Sequence, residues 1–330
     1  MLNNKFFFDN KVISKKEYIK NINKTKVLLN KLKFEIKNET DPLLQSYEKK
    51  YIFDFEKILI KKFSKYKNII IIGMGGAVLG TKTIYSYLRN KIKKKVFFFD
   101  NLDFNLHLEF KKIKDLKNSC LIIVSKSGNT LETITNANLI LSKNLFKNKL
   151  VIITEIKNSN LLNLGKKYNA EIIEHKNFIS GRYSVLSEVG MFPAALMNLD
   201  IHKFKNLNKL IKSKNFTNPL IDSVSSIYSL YKKKKITSII LNYDTKLNDL
   251  CLWHQQLVGE SLGKKGKGIM PIISTCPKDH HSLFQLYLDG PKDKFFTFFN
   301  STFKKNNKVD LTINAQYKAA KKVFRKNKIP

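Results

Sequence analysis

The sequence predicts an α/β protein built on parallel sheets in two domains, the second incomplete. Three observations carry that reading. Short apolar runs of strand length alternate with amphipathic segments of helical length, the pattern of βαβ units. The alternation gives five strands, breaks for a helical stretch, and restarts for only three more, a small sheet for its type. The chain has 330 residues, and domains run to about 100–200 residues each, so two are expected.

The elements follow in order. Residues 15–37 carry Tyr18, Ile19, Ile22, Leu28, Leu29 and Leu32 at helical spacing. A second helix opens at Asp41-Pro42, with Asp as N-cap and Pro in the first turn, and is expected to run to about Lys65. Strand-length apolar runs then recur at 68–72, 95–99, 120–124, 149–153 and 171–174. Helical stretches cover 184–199 and 219–231. Strands resume near 236–241, 269–273 and 294–299, and a closing helix covers 311–326. The lysine run 232–235 reads as a solvated corner between helix and strand.

Composition narrows the function classes. Hydrophobic residues at 43% and charged residues at 26% describe an ordinary soluble globular chain and exclude disorder or collagen. No uninterrupted apolar run reaches the roughly 18 residues a membrane helix needs. Only Phe6, Phe7 and Phe8 stand together before Asp9, too few for a secretory core of about 7–15. A cytoplasmic protein with no membrane contact is expected. Cys120, Cys251 and Cys276 are odd in number and far apart, fitting neither a disulfide framework nor a zinc site.

The formal charge of +35 invites a nucleic-acid reading. Yet of 61 basic residues only Arg89, Arg182 and Arg325 are arginines, whereas base reading and bidentate phosphate clamping favour arginine. Lysines spread along the whole chain, beside abundant Asn and Ile, read as a compositional bias. Nucleic acid is therefore not expected as a partner, while the charge still attracts anionic substrates.

Five segments carry candidate chemistry. The first strand runs into Gly73-Met-Gly-Gly-Ala-Val-Leu-Gly80 and then a helix, where glycines let backbone approach an anionic ligand. A dinucleotide fingerprint needs a third glycine where Val78 stands, although Asp100 occupies the place of a ribose-binding acid. The run Ser125-Lys-Ser-Gly-Asn-Thr130 follows a strand and precedes a helix, so its hydroxyls and amides make a phosphate cradle. The plainer alternative is a polar turn capped by Thr130.

Arg182, in Gly181-Arg-Tyr-Ser-Val-Leu-Ser-Glu-Val-Gly190, offers a fixed positive charge for a developing anion, or a structural ion pair. Glu260 ends the helical run from Trp253, and His281 starts another in Asp279-His-His-Ser-Leu-Phe-Gln285. A carboxylate and an imidazole are the usual parts for proton transfer. Adjacent histidines on a helix point about 100° apart, and no third ligand has suitable spacing, so no metal site is expected.

Taken in order, these five segments resemble the glucose-6-phosphate isomerase family in its short bacterial form. The matching motifs are Gly73–Gly80, Ser125–Thr133, Gly181–Gly190, Glu260-Ser-Leu-Gly-Lys264 and His281-Ser-Leu-Phe-Gln285, spanning about residues 69–290. The resemblance implies two sugar-isomerase domains of SIS type, flavodoxin-like α/β/α sandwiches. They would be residues 67–217, with the phosphate loop, and a partial second domain 218–330, with residues 1–66 as a helical segment packing on the sandwich. It implies interconversion of glucose 6-phosphate and fructose 6-phosphate through a cis-enediol by a cytoplasmic homodimer, with no cofactor and no metal. Glu260 would be the base, Arg182 the stabiliser of the enediolate, and His281 the aid to ring opening, supplied by the neighbouring subunit. Ser125, Lys126, Ser127 and Thr130 would hold the phosphate, and Gly75, Gly76 and Gln285 the rest of the substrate.

Two departures qualify the match. Ala77 stands where the family often has serine, a lost hydroxyl worth on the order of 1 kcal/mol. The family's closing helix, with its active-site lysine, has no counterpart here, and Lys318 matches its position poorly. A chain shortened by about the last fifth of the family's length is expected. The rival readings are a bifunctional phosphoglucose/phosphomannose isomerase, a non-catalytic sugar-phosphate-binding protein, and a dinucleotide-dependent enzyme.

Overall fold

The computed structural model describes residues 13–142, 145–301 and 307–330. They form two compact units: Pro42–Asn206, and Leu207–Pro330 together with the described residues up to Asp41. The sequence placed its boundaries at 66 and 217; the packing divides the chain at 41 and 206. Helix α1 (Lys15–Lys37) accounts for the first difference. Ser14 caps it by accepting from the Glu17 amide, and its Asn21 Nδ2 donates to Ser229 Oγ at 2.7 Å in the helix Lys214–Lys232. Helix α1 thus packs along that helix and buries Leu29 and Ile36, while Ile19 and Leu28 of the predicted stripe stay exposed.

The unit Pro42–Asn206 opens with α2 (Pro42–Gln45) and α3 (Lys57–Ser64), where the sequence predicts one helix from 42 to 65. Residues 46–56 leave the helix because Tyr51, Phe53 and Phe55 repeat at every second position, the period of extended chain. Their rings meet in series, Tyr51 edge-to-face on Phe53 at 5.4 Å and Phe53 stacked on Phe55 at 4.8 Å, and Phe55 continues edge-to-face onto Phe192 at 5.3 Å. The sheet follows: β1 (Asn68–Ile72), α4 (Leu79–Tyr87), β2 (Lys95–Phe99), α5 (Leu106–Lys111), β3 (Ser119–Val124), α6 (Leu131–Leu141), β4 (Leu150–Thr154), α7 (Asn160–Lys167), β5 (Glu171–Glu174) and α8 (Glu188–Leu196).

All five strands are parallel, in the order β2-β1-β3-β4-β5, with Ile70 opposite Phe97 on one side and Leu121 on the other. Strands β1, β3 and β4 are buried at every residue, which is why they read as unbroken runs of Ile, Leu and Val. One face packs Ile70, Leu121 and Ile152 against Phe110, Ile140 and Phe146. The helix predicted for 184–199 is a 3-10 helix, Gly181–Leu186, followed by α8. Val185 makes the break: it is wedged where a Cβ on Gly80 would lie 2.5 Å from its side chain and one on Gly190 2.0 Å from its carbonyl oxygen.

The other unit adds to α1 the elements α9 (Leu207–Lys212), α10 (Lys214–Lys232), β6 (Thr237–Asn242), α11 (Asn248–Leu262), β7 (Met270–Thr275), α12 (Phe284–Asp289), β8 (Lys294–Phe299) and α13 (Lys308–Lys326). Its three strands are parallel in the order β7-β6-β8. Helix α10 begins at Lys214 and carries Pro219 inside it, where the sequence starts a helix at that proline. Helix α13 begins three residues before the predicted start because the Asn307 side chain accepts from the Asp310 amide at 2.8 Å. Tyr243, Tyr287, Phe296, Phe298, Tyr317 and Phe324 form an aromatic core over one sheet face. Among the described residues no helix is long and apolar enough to cross a membrane.

Candidate active site

The strand order of the Pro42–Asn206 unit reverses between β1 and β3, and ligands of open α/β sheets bind at that point, beyond the carboxyl ends of the strands. Two of the motif segments leave the sheet there. After β1, Gly75 takes φ +52 at the start of a 3-10 turn. Gly76 is pressed against the 181–190 segment: a Cβ would lie 2.3 Å from Gly181 C and 2.5 Å from Arg182 N. Ser184 Oγ ties the same contact, 2.7 Å from Gly181 O and 3.4 Å from Gly76 O. The two glycine-bearing loops therefore hold one another.

After β3, Ser125 is buried and shares a hydrogen with Thr130 across 2.9 Å. Whichever hydroxyl donates, the other keeps its hydrogen for a ligand. The Gly128 amide turns in to Ser125, and Gly128 takes φ +70 in contact with Ser159. Ser127 is exposed and accepts from the Asn129 amide at 3.2 Å, leaving its own O–H to donate. Thr130 stands at the N-cap of α6, yet its hydroxyl makes no capping bond. The first-turn amides of α6 thus keep their donors beside the three hydroxyls, an arrangement suited to phosphate oxygens. Lys126 behaves differently: its ammonium donates to Asn177 O at 2.6 Å and pairs with Glu155 at 3.7 Å.

Arg182 lies in the 3-10 helix after Gly181, with Nη1 donating to Ser180 Oγ at 3.1 Å and the guanidinium 4.6 Å over the Tyr183 ring. Tyr47 steadies that ring's residue by donating to Tyr183 O at 3.2 Å. Asp100, the ribose-binding acid of the dinucleotide reading, is paired with Lys82 at 2.7 Å.

Glu260, His281 and Gln285 belong to the other unit. Glu260 is exposed in the last turn of α11 and accepts from Gln256 Nε2 at 2.7 Å. The adjacent histidines diverge. His280 turns inward, its Nε2 2.7 Å from Tyr243 OH and its ring 4.0 Å from that of Phe284, and burial lowers its pKa. His281 turns out to solvent. Asp279 anchors the turn by accepting from Ser274 Oγ and from the Thr275 amide. Gln285 is exposed on α12 and donates to Asp289 at 2.7 Å.

The sequence reading missed a buried polar group behind the Arg182 segment. Glu188, 0% exposed, accepts from Tyr51 OH at 2.9 Å and from the Asp54 amide at 3.1 Å, and burial raises its pKa. Lys205, 1% exposed, donates to Ser46 O at 2.5 Å and lies 4.0 Å over the Tyr51 ring; burial pushes its pKa down to about 8. The alternating aromatics at 51, 53 and 55 were the available signal.

A doubly wound sheet with a hydroxyl-and-amide loop at its switch point defines an α/β protein equipped to hold an anionic group. The chain belongs to the phosphoglucose isomerase family, whose profile matches residues 58–277. That stretch contains the Ser125–Thr130 loop, Arg182 and Glu260. A glucose-6-phosphate isomerase of Methanocaldococcus jannaschii is 40% identical over 258 residues, 75% of this chain and 63% of the relative. The chain thus spans less than two thirds of that relative's length.

Solved structures agree on the fold. A hypothetical protein of Thermus thermophilus aligns with TM-score 0.72 at 19% identity, over 95% of this chain and 84% of its own. A glucose-6-phosphate isomerase of Chlamydia trachomatis aligns with TM-score 0.64 at 20% identity, over 81% of this chain and 57% of its own. The parallel-sheet, sugar-isomerase-type architecture expected from the motifs is the architecture of this chain.

Proposed function

We propose that this protein interconverts glucose 6-phosphate and fructose 6-phosphate by proton transfer through a cis-enediol, as a cytoplasmic homodimer serving glycolysis and gluconeogenesis. Family membership combined with the Ser125–Thr130 loop at the sheet's switch point carries the reading. Ser125, Ser127, Thr130 and the first amides of α6 anchor the phosphate, and Lys126 frames the loop through Asn177 and Glu155.

His281 assists opening of the sugar ring. Glu260 then takes the C2 proton of the open-chain aldose, and the electrons pass into the enediolate. Arg182, held over Tyr183, stabilises that negative charge. The O2 proton passes to O1 within the enediolate, and the same carboxyl then returns the abstracted proton to C1 as C2=O2 forms, giving the ketose and the free carboxylate. Gly75 and Gly76 admit the substrate close to backbone, and Gln285 is assigned a contact with its hydroxyls.

Turnover of fructose 6-phosphate by the purified chain, beside Glu260→Gln prepared identically, tests this. Loss of about 10²–10⁴-fold is expected in the variant with an unchanged melting temperature, because the Glu260 side chain is exposed. Chelator should leave the wild-type rate intact. A wild type with no turnover that melts higher with a sugar phosphate would instead be a binding protein.

A further inference from the structure

A cavity of about 700 Å³ opens at the other end of the first unit's sheet, away from the loops described above. Its wall includes Asn68 and Lys95, paired at the amino ends of β1 and β2, and Lys114-Asp115, just before β3. The candidate site lies beyond the carboxyl ends of β1 and β3, so a strand length separates the two, about 16 Å for five residues.

Seven of the twelve lining residues are lysine, against 58 in 330 for the chain as a whole, so compositional bias does not account for the wall. Two of the seven are engaged. Lys94 donates to Ser64 O and Tyr66 O at the carboxyl end of α3, and Lys112 pairs with Glu109 at 2.5 Å. Lys65, Lys67, Lys93, Lys95 and Lys114 form no ion pair among the described residues. The one acid in the wall, Asp115, is turned to Asn118 Nδ2, at 2.9 and 2.8 Å. Five like charges are therefore gathered round a space whose single lining acid is engaged with Asn118.

Two aromatic rings complete the lining. Tyr66 is mostly buried with Lys65 5.4 Å over its ring, and Phe97 packs onto the sheet core. The volume is that of a small-molecule pocket, about 300–1,000 Å³, rather than of a groove tracking a polymer. We infer that this cavity binds a small, multiply phosphorylated anion at a site separate from the sugar-phosphate loop. Ammonium groups supply the charge match, and the half-buried Phe97 ring is the apolar surface available to a base if the phosphates belong to a nucleotide.

The test is titration of the whole chain with inorganic tripolyphosphate and with ATP by calorimetry, in the presence of saturating fructose 6-phosphate. A variant Lys93→Gln/Lys95→Gln/Lys114→Gln should bind at least about tenfold more weakly. A matched variant, Lys20→Gln/Lys24→Gln/Lys26→Gln on exposed α1 positions, should bind as wild type does. Acylation footprinting of unmutated protein should show the five cavity lysines protected by tripolyphosphate. Tighter ATP than tripolyphosphate assigns the site to nucleotides, and equal affinity assigns it to polyphosphate. Equal losses in both variants, no protection of the cavity lysines, or no submillimolar binding would overturn the inference.

Discussion

The Arg182 guanidinium rests 4.6 Å over the Tyr183 ring and donates to Ser180 Oγ. A planar, delocalised cation stacks on a ring in a way that a lysine ammonium does not. Under the proposed mechanism Arg182→Lys is therefore expected to lower kcat by about 10²-fold with KM nearly unchanged, since that mechanism assigns the interaction to the transition state. Steady-state kinetics with fructose 6-phosphate reads this directly, and an unchanged kcat would remove Arg182 from the mechanism.

Lys205 gives a pH prediction. Burial holds its pKa at about 8 against an ordinary 10.5, so between those values the unfolded chain binds a proton that the folded chain lacks. Stability contributed by this group must rise with pH across that window, by a total on the order of 3 kcal/mol. Urea midpoints taken at pH 7.5, 9 and 10.5 should climb in wild type, and Lys205→Met should flatten the climb. Parallel curves would show that Lys205 does not titrate in this window.

At the scale of elements, the candidate site depends on how the Gly75–Ala77 turn meets the Gly181–Leu186 turn. Gly76→Ala would place a Cβ 2.3 Å from backbone carbon, which no side-chain rotation relieves. It should destabilise by about 1–3 kcal/mol or more and displace Arg182. Gly181→Ala meets nothing within 4 Å and should melt within about 0.5 kcal/mol of wild type. Thermal melts of the pair decide the matter, and equal melting temperatures would mean the turns are not locked together.

The same scale shows what the sequence disclosed. All eight strands of the described residues were legible, because buried parallel strands are continuous apolar runs. The helix over 42–65 was misread because Asp41-Pro42 is a true start signal, while the stop is set by rings finding Phe192, 137 residues further on. The Ser125–Thr130 loop was legible as a loop with hydroxyls. That Thr130 would turn to Ser125 rather than cap α6 was not, since both hydrogen bonds are open to a threonine at that position.

Across the whole molecule the formal charge of +35 has its own consequence. Like charges spread over every surface repel, and salt screens them over a Debye length of about 10 Å at 0.1 M. Added NaCl should raise the melting temperature, while kcat/KM for an anionic sugar phosphate falls as steering is screened. Both trends come from one ionic-strength series; a kcat/KM indifferent to salt would mean that the charge plays no part in substrate capture.

The sequence by itself determined the class of fold and the succession of strands along the described residues, because those follow from local apolar periodicity. Tertiary structure alone decided which helix α1 packs on, where the helix after Pro42 ends, and which histidine of the 280–281 pair faces the core. It also decided that Glu188 and Lys205 are sealed beneath the Arg182 segment. Each of those outcomes rests on contacts between residues distant in sequence, whose free energy no local pattern encodes.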